Sequence, residues 1–345
     1  MRFGLFDHID HNGHDDIARL FDERLDFVTA AETAGFYCYH VSEHHGTPLN
    51  LAPVPGAYLG AVARATSRIR LGPLVYLLPL MSPLRLIEEI CMLDQISHGR
   101  FDLGVGRGVS PFELNFHNVD PETSREVFME ALEVAIEGLT HDCLTFEGKR
   151  YAYENVPMVL KSFQQPYPPI WYASSNPGGS AWGGEKGYHY ATLGATEAAK
   201  PCIDAYKQAY AKRGGPAVPG DDFPGGTAIG VLRHVVIGDT AEEARKIAQP
   251  AYDHWYSNLT KLEREFSAGP RVARSMFADM DEAIAKGSVI VGTAAHVRET
   301  LEAQIEALGV NYLIVQVYFG TLPLAAAVNS LNAFAEEVMP ALADR

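Results

Sequence analysis

The sequence predicts a parallel β/α barrel of eight strands, and two observations carry that reading. Short apolar runs with few polar interruptions recur eight times along the chain, each followed by a stretch of helical periodicity. Continuous apolar strands alternating with helices mean a parallel sheet covered by helices on its outer face. Eight such units favour closure into a barrel over an open doubly wound sheet.

Arg2–Phe6 is the first strand. The acidic pair Asp15-Asp16 then opens a helix whose apolar face is Ile17, Leu20, Phe21, Phe27, Val28 and Ala31, and Gly35 stops it. Phe36–Val41 is the second strand, Val54–Thr66 a helix and Ile69–Leu78 the third strand. Ser82-Pro83 supplies an N-cap and a proline at the first helical position, for a helix running to Ser97. Arg100–Val105 is the fourth strand, and Asp120-Pro121 repeats the cap-plus-proline start for a helix ending near Gly138. Ile170–Ala173, Tyr190–Leu193, Ala228–Ile237 and Tyr312–Tyr318 complete the eight. Two segments break the rhythm. Leu144–Tyr153 alternates around Glu147-Gly148 and predicts a small hairpin inserted near 140–165. Residues 260–288 are charged, contain Gly269-Pro270, and predict an insertion able to act as a mobile lid on a single domain spanning 1–345.

The composition of the 345 residues, 47% hydrophobic and 21% charged, is that of an ordinary globular chain. A formal net charge of −15 argues against nucleic acid or an anionic membrane as partner, since both require a basic footprint. Cys38, Cys91, Cys143 and Cys202 are scattered without a CxxC pair, and no apolar run reaches signal-peptide or membrane-span length. These features predict a reduced, cytoplasmic protein.

In a parallel barrel the chemistry sits in the loops after the strands. After strand four, Arg107 stands between Gly106 and Gly108, where the backbone can turn sharply and a guanidinium can grip a phosphate bidentately. After strand five, Ser174-Ser175-Asn176-Pro177-Gly178-Gly179-Ser180 leads into a helix around Ala181–Gly187, whose first amides would form an anion pocket. Together the two loops suit a mononucleotide monophosphate; a surface arginine beside an ordinary flexible loop is the plainer alternative. After strand two, His44 and His45 are acid–base or ligand candidates, with a structural role equally open for His45. His8, His11 and His14 after strand one form either a metal-like group or a solvated rim. A metal-dependent hydrolase would use His8, His11 and His44, yet the ends of strands five, six and eight offer Ser174, Gly194 and Tyr318, with no histidine or aspartate. The GVGRG run lacks GxGxxG spacing and stands in the fourth unit, not the first, so it does not predict a dinucleotide fold.

Read together, these residues resemble the bacterial luciferase-like family, and its α-subunit in particular. Glu43-His44-His45 stands after strand two as the family's EHH does. Met92–Phe101, MLDQISHGRF, resembles the family's LLDQMSKGRF. His254-Trp255-Tyr256 with Asn258-Leu259-Thr260, and Val291-Gly292-Thr293, match further segments in order along nearly the whole chain. The resemblance implies a barrel, usually dimeric, that binds reduced FMN supplied by a separate NAD(P)H:flavin reductase. His44 matches the catalytic histidine, Arg107 the phosphate arginine, and Ser174, Ser175, Asn176, Gly178 and Gly179 the phosphate loop. Leu74-Val75 falls where the family has a non-proline cis peptide beneath the flavin ring. Gly106 stands in place of luciferase's reactive cysteine, which excludes thiol chemistry there. Gly194 replaces a tryptophan and would open the pocket, which His8, His45 and Trp255 would also line.

The implied activity is a flavin-dependent monooxygenase. Reduced FMN and dioxygen would form a C4a-hydroperoxide that oxygenates a small organic substrate such as an aldehyde or ketone. The rivals are a deazaflavin-dependent hydride-transfer enzyme of the same fold and a non-catalytic flavin-binding partner like luciferase's β-subunit. Retention of His44 and Arg107 weighs against the latter.

Overall fold

The computed structural model describes residues 1–218, 223–266 and 276–343. Its strands are β1 (Arg2–Asp7), β2 (Cys38–Val41), β3 (Arg70–Pro73), β4 (Tyr76–Leu77), β5 (Leu103–Gly106), β6 (Cys143–Glu147), β7 (Ala152–Pro157), β8 (Ile170–Ala173), β9 (His189–Thr192), β10 (Ile229–Ile237), β11 (Val289–Gly292) and β12 (Tyr312–Gln316). The parallel sheet runs β3-β2-β1-β12-β10-β9-β8-β5-β4. β3 and β4 are the two halves of the expected third strand, divided at a cis peptide between Leu74 and Val75. They also close the circle. Leu71 bridges Phe101 in parallel, its N–H donating to the Arg100 carbonyl at 3.0 Å, and Tyr76 and Leu77 pair with Val105 and Gly106.

Side chains fill the lumen in layers, as a barrel of this size demands. Leu74, Trp171, Ala191, Leu232, Tyr312 and Ile314 form a buried cluster inside the ring, while a larger core packs between the strands and the surrounding helices. Gly104 is required by closeness: a Cβ there would overlap the Pro73 carbonyl on the facing strand. Among the described residues no helix is long and apolar enough to cross a membrane.

Several expected boundaries move. β2 begins at Cys38 and β12 ends at Gln316, each two residues inside the apolar run. The helix expected from Asp120-Pro121 starts at Ser124; Asp120 instead accepts from the Glu122 N–H in the turn before it. The helix after strand five begins at Pro177, not Ala181, because Asn176 caps it. The inserted hairpin forms as β6–β7. An unexpected ninth barrel strand, β11, pairs with the upper half of β10, so His234–Ile237 run beside Val289–Gly292. Its four residues are too short a run to stand out beside the charged segment before them. That segment is helical on both sides, at Lys261–Phe266 and Met280–Ala285, and the middle of the expected lid, residues 267–275, lies outside the described residues.

Candidate active site

The C-terminal ends of β1, β2, β5, β8, β10 and β12 bring the chemistry together. After β2, Glu43 is buried and acts as an anchor. One of its carboxylate oxygens accepts from the Leu77 N–H of β4 at 3.0 Å, and the other contacts His45 Nε2 at 2.9 Å. His45 is thereby turned toward Glu43 and the ring of His117, 4.4 Å away, rather than into open space. His44 is the histidine left to face the mouth.

His44 Nδ1 lies 3.1 Å from Glu113, whose carboxyl is buried; the His44 side chain keeps 22% of its exposure. Burial works against a charge on His44, but the Glu113 carboxylate, by charge and hydrogen bond, outweighs it and raises the histidine above its ordinary value. Glu113 stands on a short helix, Pro111–Phe116, capped by Ser110. Sequence reasoning passed over both helix and residue. The signal was there: Ser110-Pro111-Phe112-Glu113 carries the same Ser-Pro start used at Ser82, followed by the glutamate of a capping box. A pocket beside the pair is walled by Leu49, Val109, Phe112, Leu259 and Leu262.

The loop after β1 is held by a buried ion cluster. Arg24 lies 3.4 Å from both Asp7 and Asp10 and 3.5 Å from the centre of the Tyr318 ring. Asp7 also accepts from the Ile9 N–H at 2.8 Å, and Ile9 sits at φ 55°, a costly conformation for a β-branched residue. The Asp7 bond holds this turn, and His8 stands just after β1 with its ring 5.8 Å from that of His44. Burial, then the nearby His44, His234 and Arg24, push His8 well below its ordinary value. Trp255 is 1% exposed; its indole N–H donates to His8 Nδ1 at 3.3 Å, and its ring centre lies 4.3 Å from that of His234. Gly194, after β9, adopts φ 95°, and its carbonyl accepts from buried Arg233 at 3.0 Å. His11 folds back on its own loop, accepting from the Gly13 N–H at 3.0 Å. Among the described residues no three His, Cys, Asp or Glu side chains converge as a metal site.

Across the mouth, β5 and β8 are neighbours, so the loops holding Arg107 and Ser174–Gly179 adjoin. Arg107 is exposed and donates to Ser124 Oγ at 3.2 Å. Arg125 follows Ser124, the residue Arg107 donates to, so a second, unforeseen guanidinium stands at the start of the helix that Ser124 opens. Asn176 accepts from the Gly179 N–H at 2.8 Å, and Ser174 Oγ accepts from the Asn176 N–H at 3.3 Å. Ser175, Asn176 and Gly178 are exposed, and space around Gly178 is open apart from the Asn176 side chain. Two cations beside a helix start with open amides fit a phosphate monoester. Toward the barrel, Val75 packs against the lumen cluster to which Leu74 belongs. Gly106 leaves room for Val75, whose Cγ2 would overlap any Cβ at that position.

Comparison with known proteins places these features in a family. The model of the luciferase-like monooxygenases matches residues 1–312. The chain is 38% identical to the uncharacterized protein y4wF of Sinorhizobium fredii, over 98% of this chain and 96% of that one. It is 27% identical to the oxygenase component of the flavin-dependent trigonelline monooxygenase of Acinetobacter baylyi, covering 100% of this chain and 96% of that one. Among solved structures, monooxygenase RslO1 of Streptomyces bottropensis superposes with TM-score 0.86 at 24% identity, covering 99% of each chain. The oxygenating constituent of 3,6-diketocamphane monooxygenase from Pseudomonas putida, in complex with FMN, gives 0.79 at 23% identity over 99% and 98%. An F420-dependent secondary alcohol dehydrogenase shares the fold at 0.75 and 18% identity, over 99% and 98%. The chain belongs to the luciferase-like monooxygenase family.

Proposed function

We propose that this chain is the oxygenase component of a two-component system, taking reduced FMN from a separate reductase and inserting oxygen from O2 into a small uncharged aldehyde or ketone. The observation that supports it most is the division of labour within the loop after β5. Arg107, at the start of the segment after β5, donates to Ser124 beside the neighbouring loop after β8, and Glu113, on the short helix farther along that segment, turns to His44.

Bound there, reduced FMN supplies the electrons that activate dioxygen. The remaining work falls to the protein. Arg107 and Arg125, with the helix start capped by Asn176, hold the phosphate, while Ser174, Ser175 and Gly179 shape the loop. Leu74, Val75 and Gly106 support the ring. His44, raised by Glu113 on Nδ1, keeps Nε2 as the nitrogen that gives and takes a proton near the reacting atoms. Val109, Phe112, Leu259 and Leu262 exclude water from the mouth.

A deazaflavin user would instead transfer hydride and need no oxygen, as the F420-dependent neighbour's name suggests for that protein. Flavin-free protein titrated in parallel with reduced FMN and reduced F420, with oxygen uptake followed in the presence of aldehydes and ketones, separates the two. Tight FMN binding with carbonyl-dependent oxygen uptake is the expected result. Preference for F420 with no uptake would end this reading.

A further inference from the structure

His8 differs from the other histidines of the mouth in what its ring nitrogens can do. Nδ1 is approached by two groups, Gln316 Nε2 at 3.0 Å and Trp255 Nε1 at 3.3 Å. An indole nitrogen only donates, so Nδ1 must accept, and a neutral ring then carries its proton on Nε2. Both supporting side chains are buried, and Gln316 lies on β12 in register with His234 of β10. Two more atoms at this level, Gln316 Oε1 and His234 Nε2, are buried without a hydrogen-bond partner. The lumen end is therefore polar and incompletely satisfied, beneath an apolar rim.

We propose that His8 is a second substrate-contacting residue: its Nε2–H donates to the oxygen of an uncharged carbonyl substrate, and Trp255 and Gln316 act as positioning residues that fix the tautomer. The substrate class rests on the monooxygenase reading; the tautomer does not. A donor that stays neutral selects an acceptor oxygen rather than a carboxylate. The groups that face it, His44, His234 and Arg24, all oppose its protonation, as does burial, which weighs most. The apolar walls of Val109, Phe112, Leu259 and Leu262 flank His44, whose ring lies 5.8 Å from that of His8, and suit the apolar body of such a substrate. Gln316 Oε1 and His234 Nε2 can accept from an ordered water or a substrate hydroxyl.

The test uses full-length, flavin-free protein labelled with 15N at histidine, with His8→Gln identifying the His8 signals. His8 is expected as the Nε2–H tautomer, without titrating from about pH 5.5 to about 8.5. Saturating cyclohexanone or octanal should shift its signals, and cyclohexane should not. Trp255→Phe should give a tautomer mixture, which a merely structural tryptophan would not. In turnover, His8→Phe should lose about 10-fold or more in kcat/KM with FMN binding unchanged, and His8→Gln, which keeps an N–H, should recover part of it. An Nδ1–H ring, titration within that window, or no selective response to the carbonyl probes overturns the proposal. Absent oxygen uptake with an intact tautomer and ligand shift would instead overturn the monooxygenase reading and leave the His8 contact standing.

Discussion

His44 Nδ1 and the Glu113 carboxylate stand 3.1 Å apart, with the carboxyl buried and the ring open to the mouth. Burial works against a charge on His44, and the Glu113 carboxylate outweighs it and raises the histidine above its ordinary value. His44→Ala should therefore slow oxygenation by about 10²–10⁴-fold, the usual worth of a placed acid–base group. A smaller effect on the oxygenation step in rapid-mixing experiments would remove His44 from that role.

Glu113→Gln should keep the fold and shift the pH profile. The carboxylate raises His44, so its loss lowers the pH at which the ring gives up its proton. The limb of kcat/KM that requires protonated His44 should move to lower pH, with the largest rate loss on the alkaline side. A profile that falls uniformly without moving would mean that Glu113 acts only on structure.

Arg107→Ala should weaken FMN binding by about 10- to 100-fold, the scale of a hydrogen bond to a charged group. Riboflavin, which lacks the phosphate, is the control and should bind both proteins alike. Equal losses for both ligands would place Arg107 elsewhere than at the phosphate.

Gly106→Ala forces a methyl into Val75 Cγ2. The expected cost is about 1–3 kcal/mol in denaturant unfolding, largely recovered in the double variant with Val75→Ala. Additive losses would show that the cost does not arise from this contact.

Asp10, raised to about 6 chiefly by burial against the pull of Arg24, makes the fold bind a proton more tightly than the unfolded chain does. Its contribution to stability is complete below the ordinary carboxylate value of 3.8 and is lost as pH rises through about 6. The melting temperature of Asp10→Asn relative to the parent should accordingly rise between about pH 4 and about pH 7. A constant difference across that range would contradict the assignment.

Much of this architecture was legible before the structure. Apolar runs at Arg2–Phe6, Ile170–Ala173 and Ala228–Ile237 need both faces buried, and only helices over a parallel sheet provide that. The loops carrying His44, Arg107 and Asn176 followed from the rule that barrel chemistry gathers at strand ends. What stayed hidden depends on contacts between distant segments. Glu113 becomes meaningful only when its short helix meets His44 across the mouth, and the way Trp255 acts, through His8, shows only when β1 brings His8 to it. β11 escaped because a four-residue strand gains its identity from pairing with β10, not from its own pattern. Leu74-Val75 reads as ordinary strand: its cis peptide was implied by family resemblance, not by periodicity, and the division into β3 and β4 emerged only in the structure.

The central claim is tested most directly by isotope transfer. Flavin-free protein is given reduced FMN and 18O2 with a panel of aldehydes and ketones, and products are weighed by mass spectrometry. Product carrying one 18O atom, formed by the parent and strongly reduced in His44→Ala, is the expected result. Oxidation of FMN with no label in any product, together with anaerobic turnover on reduced F420, would contradict it.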